Sequence, residues 1–484
     1  REQRADLLQW WHPWARARRV ARNAIYFTTD YQRSYPFGSL LGPVLHTIQD
    51  RKDDVTLQAT PTGGLELQFN SLLSGKLGRR RLVRSPRNAL ETEDIIEAPE
   101  NGADVYLTID LGLQALCERE ISKAVKDAGA QAGWAVMMDP SSGEILALAQ
   151  YPYFDPARYR EYYNDPDKAW MTKVKAITDA FEPGSTIKPL TMAVALEANR
   201  EAVARKKAPY FTPTEKNTSS DGRFPGRGKP IKDVRTHSYL NMYMALQRSS
   251  NIYMARVMDR VVKGQGEGWY RDQLSRCFGF GAPTGIELPA ESAGVLPTPG
   301  VASTGWSQAT VHSMSFGYNL QVTSLQMLRA YGILANGGYW IDPTLVRKAT
   351  KRHDDGTAEV VWSPPVERPA RQKRVLHEDS VAEVVKGMRY ASKAGGAAHR
   401  GDLPGYTQAA KTGTTKKIVD GAYSSEKYFS TFVGFAPVSD PKLVLLVAID
   451  EPAKVYRPGQ GMGYYGGVCA APVFRKIATQ ALEY

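Results

Sequence analysis

The 484-residue sequence contains no run of about eighteen apolar residues, the length a helix needs to cross a bilayer, so the chain as given holds no transmembrane helix. Cysteine is scarce. Cys117, Cys277 and Cys469 lie far apart and form no Cys-x-x-Cys pair, which argues against both a zinc site and a disulfide framework and leaves packed, unreactive thiols. Acidic residues are outnumbered, 50 against 62 Lys and Arg, giving a formal charge of +12. That excess favours contact with polyanions. The basic runs, such as Arg79-Arg80-Arg81, are scattered, however, and no nucleic-acid-binding module accompanies them, so nucleic acid is not an expected partner.

With 42% hydrophobic and 23% charged residues, the composition is that of a folded globular protein, too long for one ordinary core; two domains are expected. The chain begins at Arg1, and loss of an N-terminal signal or anchor is expected. Trp10, Trp11 and Trp14 stand just before Arg16, Arg18, Arg19 and Arg22, the aromatic and basic mixture found at membrane interfaces and also on ordinary amphipathic helices.

From Tyr35 to about Glu100, short apolar stretches are broken by turn sequences, which reads as small β-rich units forming a non-catalytic module over 1–100. A second domain is expected over 101–484, opening with a strand over 105–109 and a helix over 111–128. Runs over 134–138 and 144–149 flank Asp139-Pro140-Ser141-Ser142-Gly143, a hairpin signal. Strand-like runs recur over 407–414, 428–435 and 443–449, followed by a helix over 471–482. The expected fold class is α+β, an antiparallel sheet built from both ends of the domain and sandwiched by helices. The long loops 205–235 and 451–467, rich in Gly and basic residues, are expected to be mobile and are candidates for bordering a ligand site.

Phe181-Glu182-Pro183-Gly184-Ser185-Thr186-Ile187-Lys188-Pro189 leads into a helical stretch. Proline is tolerated in a first turn, where its missing N–H needs no partner, so the helix is expected to start near Ser185. That places the Ser185 hydroxyl at a positive helix end, with Lys188 one turn on along the same face. The same S-x-x-K spacing recurs at Ser424 with Lys427 and at Ser439 with Lys442, so the pattern alone identifies nothing. Ser249-Ser250-Asn251, the single S-x-N of the chain, and Lys411-Thr412-Gly413-Thr414, at the end of a strand on an expected sheet edge, supply the context. Taken singly, they read as a helix cap and a strand-to-turn transition. In this order the three are the motif set of active-site serine β-lactamases and penicillin-binding proteins. Together they supply an activated hydroxyl, a proton relay and a cationic strand for a carboxylate. Lys188 must be neutral to take the proton from Ser185, and burial near Lys411 would depress its pKa.

The sequence resembles class B penicillin-binding proteins, most closely the division-specific, FtsI-type septal transpeptidases. Beyond the motifs, the resemblance is carried by Tyr35-Pro36-Phe37-Gly38-Ser39-Leu40, Pro61-Thr62-Gly63-Gly64-Leu65-Glu66, Gly285-Ile286-Glu287-Leu288-Pro289, Ser315-Phe316-Gly317-Tyr318, Val322-Thr323-Ser324-Leu325-Gln326 and Tyr464-Tyr465-Gly466-Gly467. It implies Ser185 as acylated nucleophile, Lys188 as its base, Ser249 as proton shuttle and Asn251 as a residue orienting the peptide. Lys411, Thr412, Gly413 and Thr414 would hold the donor carboxylate, and the backbone N–H groups of Ser185 and Thr414 would form the oxyanion hole. The implied donor is a D-Ala-D-Ala stem peptide of peptidoglycan and the acceptor an amine of a neighbouring stem, with β-lactams acylating Ser185 as donor mimics.

The resemblance implies no metal and no cofactor. Its other implied partners are lipid-linked glycan strands, a SEDS-type membrane glycosyltransferase and divisome proteins. The implied location is the cytoplasmic membrane, with the catalytic domain on its outer, periplasmic side. A serine β-lactamase is disfavoured by the absence of a Glu-x-x-x-Asn loop and by the N-terminal module. An elongation-type relative, a D,D-carboxypeptidase and a non-catalytic β-lactam sensor are the remaining alternatives.

Overall fold

The computed structural model describes all residues except 1, 22–23, 26, 28–31, 54–57, 85–89, 302–304, 354 and 365–372. It divides into two compact units, Arg1–Pro36 and Phe37–Tyr484. In the first unit, Glu2–Ala17 is a helix on which Trp14 stacks against Trp10 and Trp11, with Arg18 over the Trp14 ring at 5.0 Å. Arg22, the last of the expected aromatic and basic group, lies outside the described residues.

The centre of the second unit is a five-stranded sheet whose strands are β1 (Ala132–Met138), β2 (Ile145–Tyr151), β3 (Ala409–Val419), β4 (Ala422–Ala436) and β5 (Leu443–Asp450). Their order is β3-β4-β5-β1-β2, antiparallel throughout. The hairpin read around 139–143 is the β1–β2 pair. The two ends of the domain meet where β5 pairs with β1, as the three late strand runs required.

Both faces of the sheet are buried, and the alternation of side chains sorts them. Trp134, Val136, Val433, Phe435, Val444 and Leu446 enter one apolar cluster. Ala135, Met137, Phe432, Leu445, Val447 and Ile449 enter another. The second cluster is closed by two helices, α1 (Leu111–Ala128) and, at the chain end, Ala471–Glu483, through Leu116, Ile121, Phe474 and Ile477. The first cluster is closed by α2 (Lys188–Ala204), α3 (Met242–Arg248), α4 (Asn251–Gln265) and α5 (Ser324–Ala335). This is the helix-sheet-helix sandwich expected from the strand pattern. Helix α1 begins at Asp110, whose carboxylate caps the Leu113 N–H, and ends at left-handed Gly129.

The segment from Phe37 to about Glu100 is less purely β than its turn-rich sequence suggested. It contains two hairpins, Ile48–Lys52 with Ala59–Pro61 and Arg79–Arg84 with Leu90–Glu97, but also short helices at Gly42–Leu45, Gly64–Gln68 and Asn70–Leu73. Leu41, Val44, Leu65 and Phe69 belong to the same buried cluster as Trp134 and Val136, and the Leu41 N–H donates to Glu118 of α1 at 2.9 Å. Strand Asp104–Leu107 pairs with Val346–Arg352 in a separate three-stranded sheet.

Candidate active site

Ser185 lies in a 3-10 turn, Gly184–Ile187, that runs directly into α2, with Pro189 in the first turn of the helix. The turn is tighter than the α-helical start expected, and its neighbours explain why. On one side the Gly184 N–H donates to Gly317 O at 3.0 Å. A Cβ on Gly317 would come within 2.1 Å of the Gly184 carbonyl oxygen. Gly184 itself has φ +53, and a Cβ there would meet the Thr415 methyl at 2.5 Å. On the other side, a Cβ on Gly413 would lie 2.3 Å from Thr431 Oγ1, 2.9 Å from Thr186 Cγ2 and 3.1 Å from Pro183 O. The glycines of both motifs therefore let the Ser185 turn pack directly onto strand β3. From beneath, the Tyr331 hydroxyl donates to Thr186 O at 2.7 Å.

Strand β3 is the edge of the sheet, as the sequence suggested, and Lys411 and Thr412 face Val433 and Phe432 of β4. Ala409 enters the cluster closed by α2, so the alternation aims Lys411 toward the same side. Ser249 is the first of the two residues, Ser249 and Ser250, that join α3 to α4, in a left-handed conformation with φ 59 and ψ 44. A serine held there carries a strain of about 1–2 kcal/mol, and it turns the hydroxyl inward between two lysines. Lys188 Nζ donates to Ser249 O at 2.5 Å and to Ser249 Oγ at 3.1 Å. Lys411 Nζ donates to Ser249 Oγ at 2.9 Å and to Thr412 O at 3.2 Å.

Both lysines are fully buried. Desolvation, then the nearby Lys411, pushes Lys188 well below the usual ammonium range, and Asp233 opposes this. Burial brings Lys411 down to about 7. At neutral pH the pair can therefore hold fewer than two protons, which leaves a neutral amine available beside Ser249. Among the described residues Lys188 Nζ is bonded to Ser249 rather than to Ser185, and Ser185, itself half-buried, lies one turn earlier.

The structure thus brings Ser185, Lys188, Ser249, Lys411, Thr412, Gly413 and Thr414 to one place. Thr414 Oγ1 accepts from the Gly466 N–H at 2.9 Å, which ties the Gly-rich segment 451–467 to the edge strand; read as a loop, it carries the strand pair Tyr456–Arg457 with Gly461–Met462 and the start of the short helix Gly466–Cys469. Asn251 is the exception among the expected residues: its amide Nδ2 donates outward to Lys232 O at 2.9 Å. Neither of the other two S-x-x-K matches opens a helix: Ser424 and Lys427 lie on β4, and Ser439 and Lys442 in the connection between β4 and β5.

Three features of the site were not read from the sequence. Asp233, from the loop 205–235, accepts hydrogen bonds at the start of α4. Glu182, buried and with its carboxyl pKa raised by desolvation, accepts from the Asn319 N–H at 2.8 Å and the Tyr423 hydroxyl at 2.9 Å. Tyr428 and Tyr464 stack at 3.8 Å. Asp233 stands in a loop with no periodicity or motif to mark it, Glu182 and Tyr464 stand in stretches that carry the resemblance but assign them no contact, and Tyr428 is one of several aromatic residues on β4.

Among the described residues no cluster of metal-ligating side chains occurs, and no helix is long and apolar enough to cross a membrane. The three cysteines are buried and free.

The family described as the penicillin binding protein transpeptidase domain matches residues 133–479. The Pseudomonas aeruginosa protein named "Probable peptidoglycan D,D-transpeptidase PbpC" is 33% identical over 455 residues, covering 94% of this chain and 71% of its own. Peptidoglycan D,D-transpeptidase FtsI of Escherichia coli K12 is 32% identical over 463 residues, covering 95% and 68%. The crystal structure of penicillin-binding protein 3 from Mycobacterium tuberculosis in complex with aztreonam superposes with a TM-score of 0.72 at 26% identity, covering 93% of this chain and 89% of that one. Motif order, sheet topology and these likenesses agree: the chain belongs to the penicillin-binding protein transpeptidases, and within them to class B.

Proposed function

We propose that this protein is a peptidoglycan D,D-transpeptidase that crosslinks stem peptides through an acyl-enzyme on Ser185. One observation carries the reading: two buried lysines from different motifs, Lys188 and Lys411, converge on the hydroxyl of Ser249 next to the Ser185 turn. Neutral Lys188 takes the Ser185 proton as Oγ attacks the carbonyl of the penultimate D-Ala. The backbone N–H groups of Ser185 and Thr414 receive the charge that develops on the carbonyl oxygen. The proton passes through Ser249 to the departing amine, the C–N bond breaks, and D-Ala leaves. An amine of a neighbouring stem then attacks the ester, gives up its proton along the same path and restores the Ser185 hydroxyl. Lys411, Thr412, Gly413 and Thr414 hold the donor carboxylate, and Asn251 turns from Lys232 to the peptide when substrate binds. No step calls on a metal or cofactor.

In this reading residues 1–100 form the non-catalytic pedestal and residues 101–484 the transpeptidase domain. The setting is the outer, periplasmic side of the cytoplasmic membrane at the division septum, beside a SEDS-type glycosyltransferase and divisome proteins that supply the glycan strands. The resemblance to FtsI-type enzymes supports the septal role. The direct test is turnover of a D-Ala-D-Ala stem peptide with and without an added amine. A dimeric, amide-linked product formed only with the amine and lost in Ser185→Ala is expected. Release of D-Ala with water as sole acceptor would instead make the protein a carboxypeptidase.

A further inference from the structure

Helix α4 begins at the Ser249-Ser250-Asn251 corner, and its first N–H groups have no partners within the helix. Ser250 Oγ accepts from the Tyr253 N–H at 3.1 Å, and the remaining donors are met from outside. Asp233 Oδ1 accepts from the Asn251 N–H at 2.5 Å and the Ile252 N–H at 3.1 Å, while Asp233 Oδ2 accepts from Ser250 Oγ at 2.5 Å. The preceding residue joins in through Lys232 O, which accepts from Asn251 Nδ2. One carboxylate on a loop therefore fixes the corner that holds Ser249 in its left-handed conformation, and its negative charge acts on the buried Lys188.

We infer that Asp233 is a positioning residue for this active site: its carboxylate holds the Ser249 corner in register with Lys188 and Lys411, and its charge acts on the Lys188 amine. This rests on the acyl-enzyme reading above and deepens it. The charged groups acting on the Lys188 ammonium are Lys411 from strand β3, which lowers its pKa, and Asp233 from the loop, which raises it; Ser249, from the junction between α3 and α4, is neutral. Removing the Asp233 charge lets Lys188 lose its proton at lower pH.

The experiment follows the second-order rate of acylation by benzylpenicillin, read by intact mass, across the pH range in which the protein stays folded. Asp233→Asn keeps an oxygen to accept the two N–H groups but loses the charge. Its acid limb is expected to move down by roughly half a pH unit or more. Asp233→Glu keeps the charge and retains the wild-type limb even where its rate is lower. A limb that stays at the wild-type pH in Asp233→Asn, or the same loss at every pH in both variants, overturns the inference and reduces Asp233 to a helix cap. No adduct on the wild type would instead remove the acyl-enzyme reading itself, so the two failures are distinguishable.

Discussion

Lys188 and Lys411, 223 positions apart in sequence (411 − 188), meet on one acceptor: their Nζ atoms lie 3.1 and 2.9 Å from Ser249 Oγ. Two ammonium groups sharing a single buried hydroxyl repel each other and are poorly solvated, so the folded state favours the loss of a proton.

The pH dependence of stability follows from that. A lysine in the unfolded chain titrates near 10.4, whereas folded Lys411 titrates at about 7. Between these values the unfolded chain binds more protons than the folded one, so stability rises with pH across the window and is lowest below it. Lys411→Met removes this titration. Its thermal midpoint, relative to wild type, is expected to be higher at pH 6 than at pH 10 by several degrees. A difference that is the same at both pH values contradicts the assignment.

Gly413 has no room for a methyl group, since its Cβ would lie within 3.1 Å of Thr431, Thr186 and Pro183. Gly413→Ala must push the Ser185 turn away from strand β3, at a cost of about 1–3 kcal/mol. Acylation by benzylpenicillin is expected to fall at least tenfold, with a lower melting temperature. Stopped-flow acylation and calorimetry on the same sample check both effects, and wild-type rates would show that the turn tolerates the shift.

Lys188→Arg keeps a positive charge but supplies a guanidinium that does not deprotonate. Loss of the base is expected to slow acylation by about 10²–10⁴-fold, and raising the pH should not restore it. Recovery at high pH would mean that another group takes the Ser185 proton.

Ser249→Ala removes the acceptor shared by both lysines while leaving Lys188 bonded to the Ser249 carbonyl. Acylation and turnover on a stem peptide are both expected to fall, with turnover falling further because the leaving amine also needs the relay. Equal effects on the two rates would argue against a shuttle.

The parts of the site that the sequence made legible are local. Ser185 and Lys188 are one turn apart, so their shared face follows from helical spacing alone. Lys411 precedes its glycine on a strand whose alternation sets the direction of the side chain. The order of the late strands was readable because β4 and β5 are long apolar runs with no competing helical period. Asp233 was not legible: its partners Ser250 and Asn251 lie beyond helix α3, and an aspartate among lysines in a Gly- and Pro-rich loop looks like any solvated residue. The three short helices between Phe37 and Leu73 were hidden by turn residues. Pro43 and Gly64 start helical turns there as readily as they end strands, and packing of Val44, Leu65 and Phe69 into the main core decided the outcome.

The most direct test of the account is the intact mass of the protein after brief exposure to benzylpenicillin, with Ser185→Ala beside it. The account predicts a single covalent adduct on the wild type, located by peptide mapping to Ser185, and none on the variant. A wild type that stays unmodified, or an adduct that persists in Ser185→Ala, would contradict it.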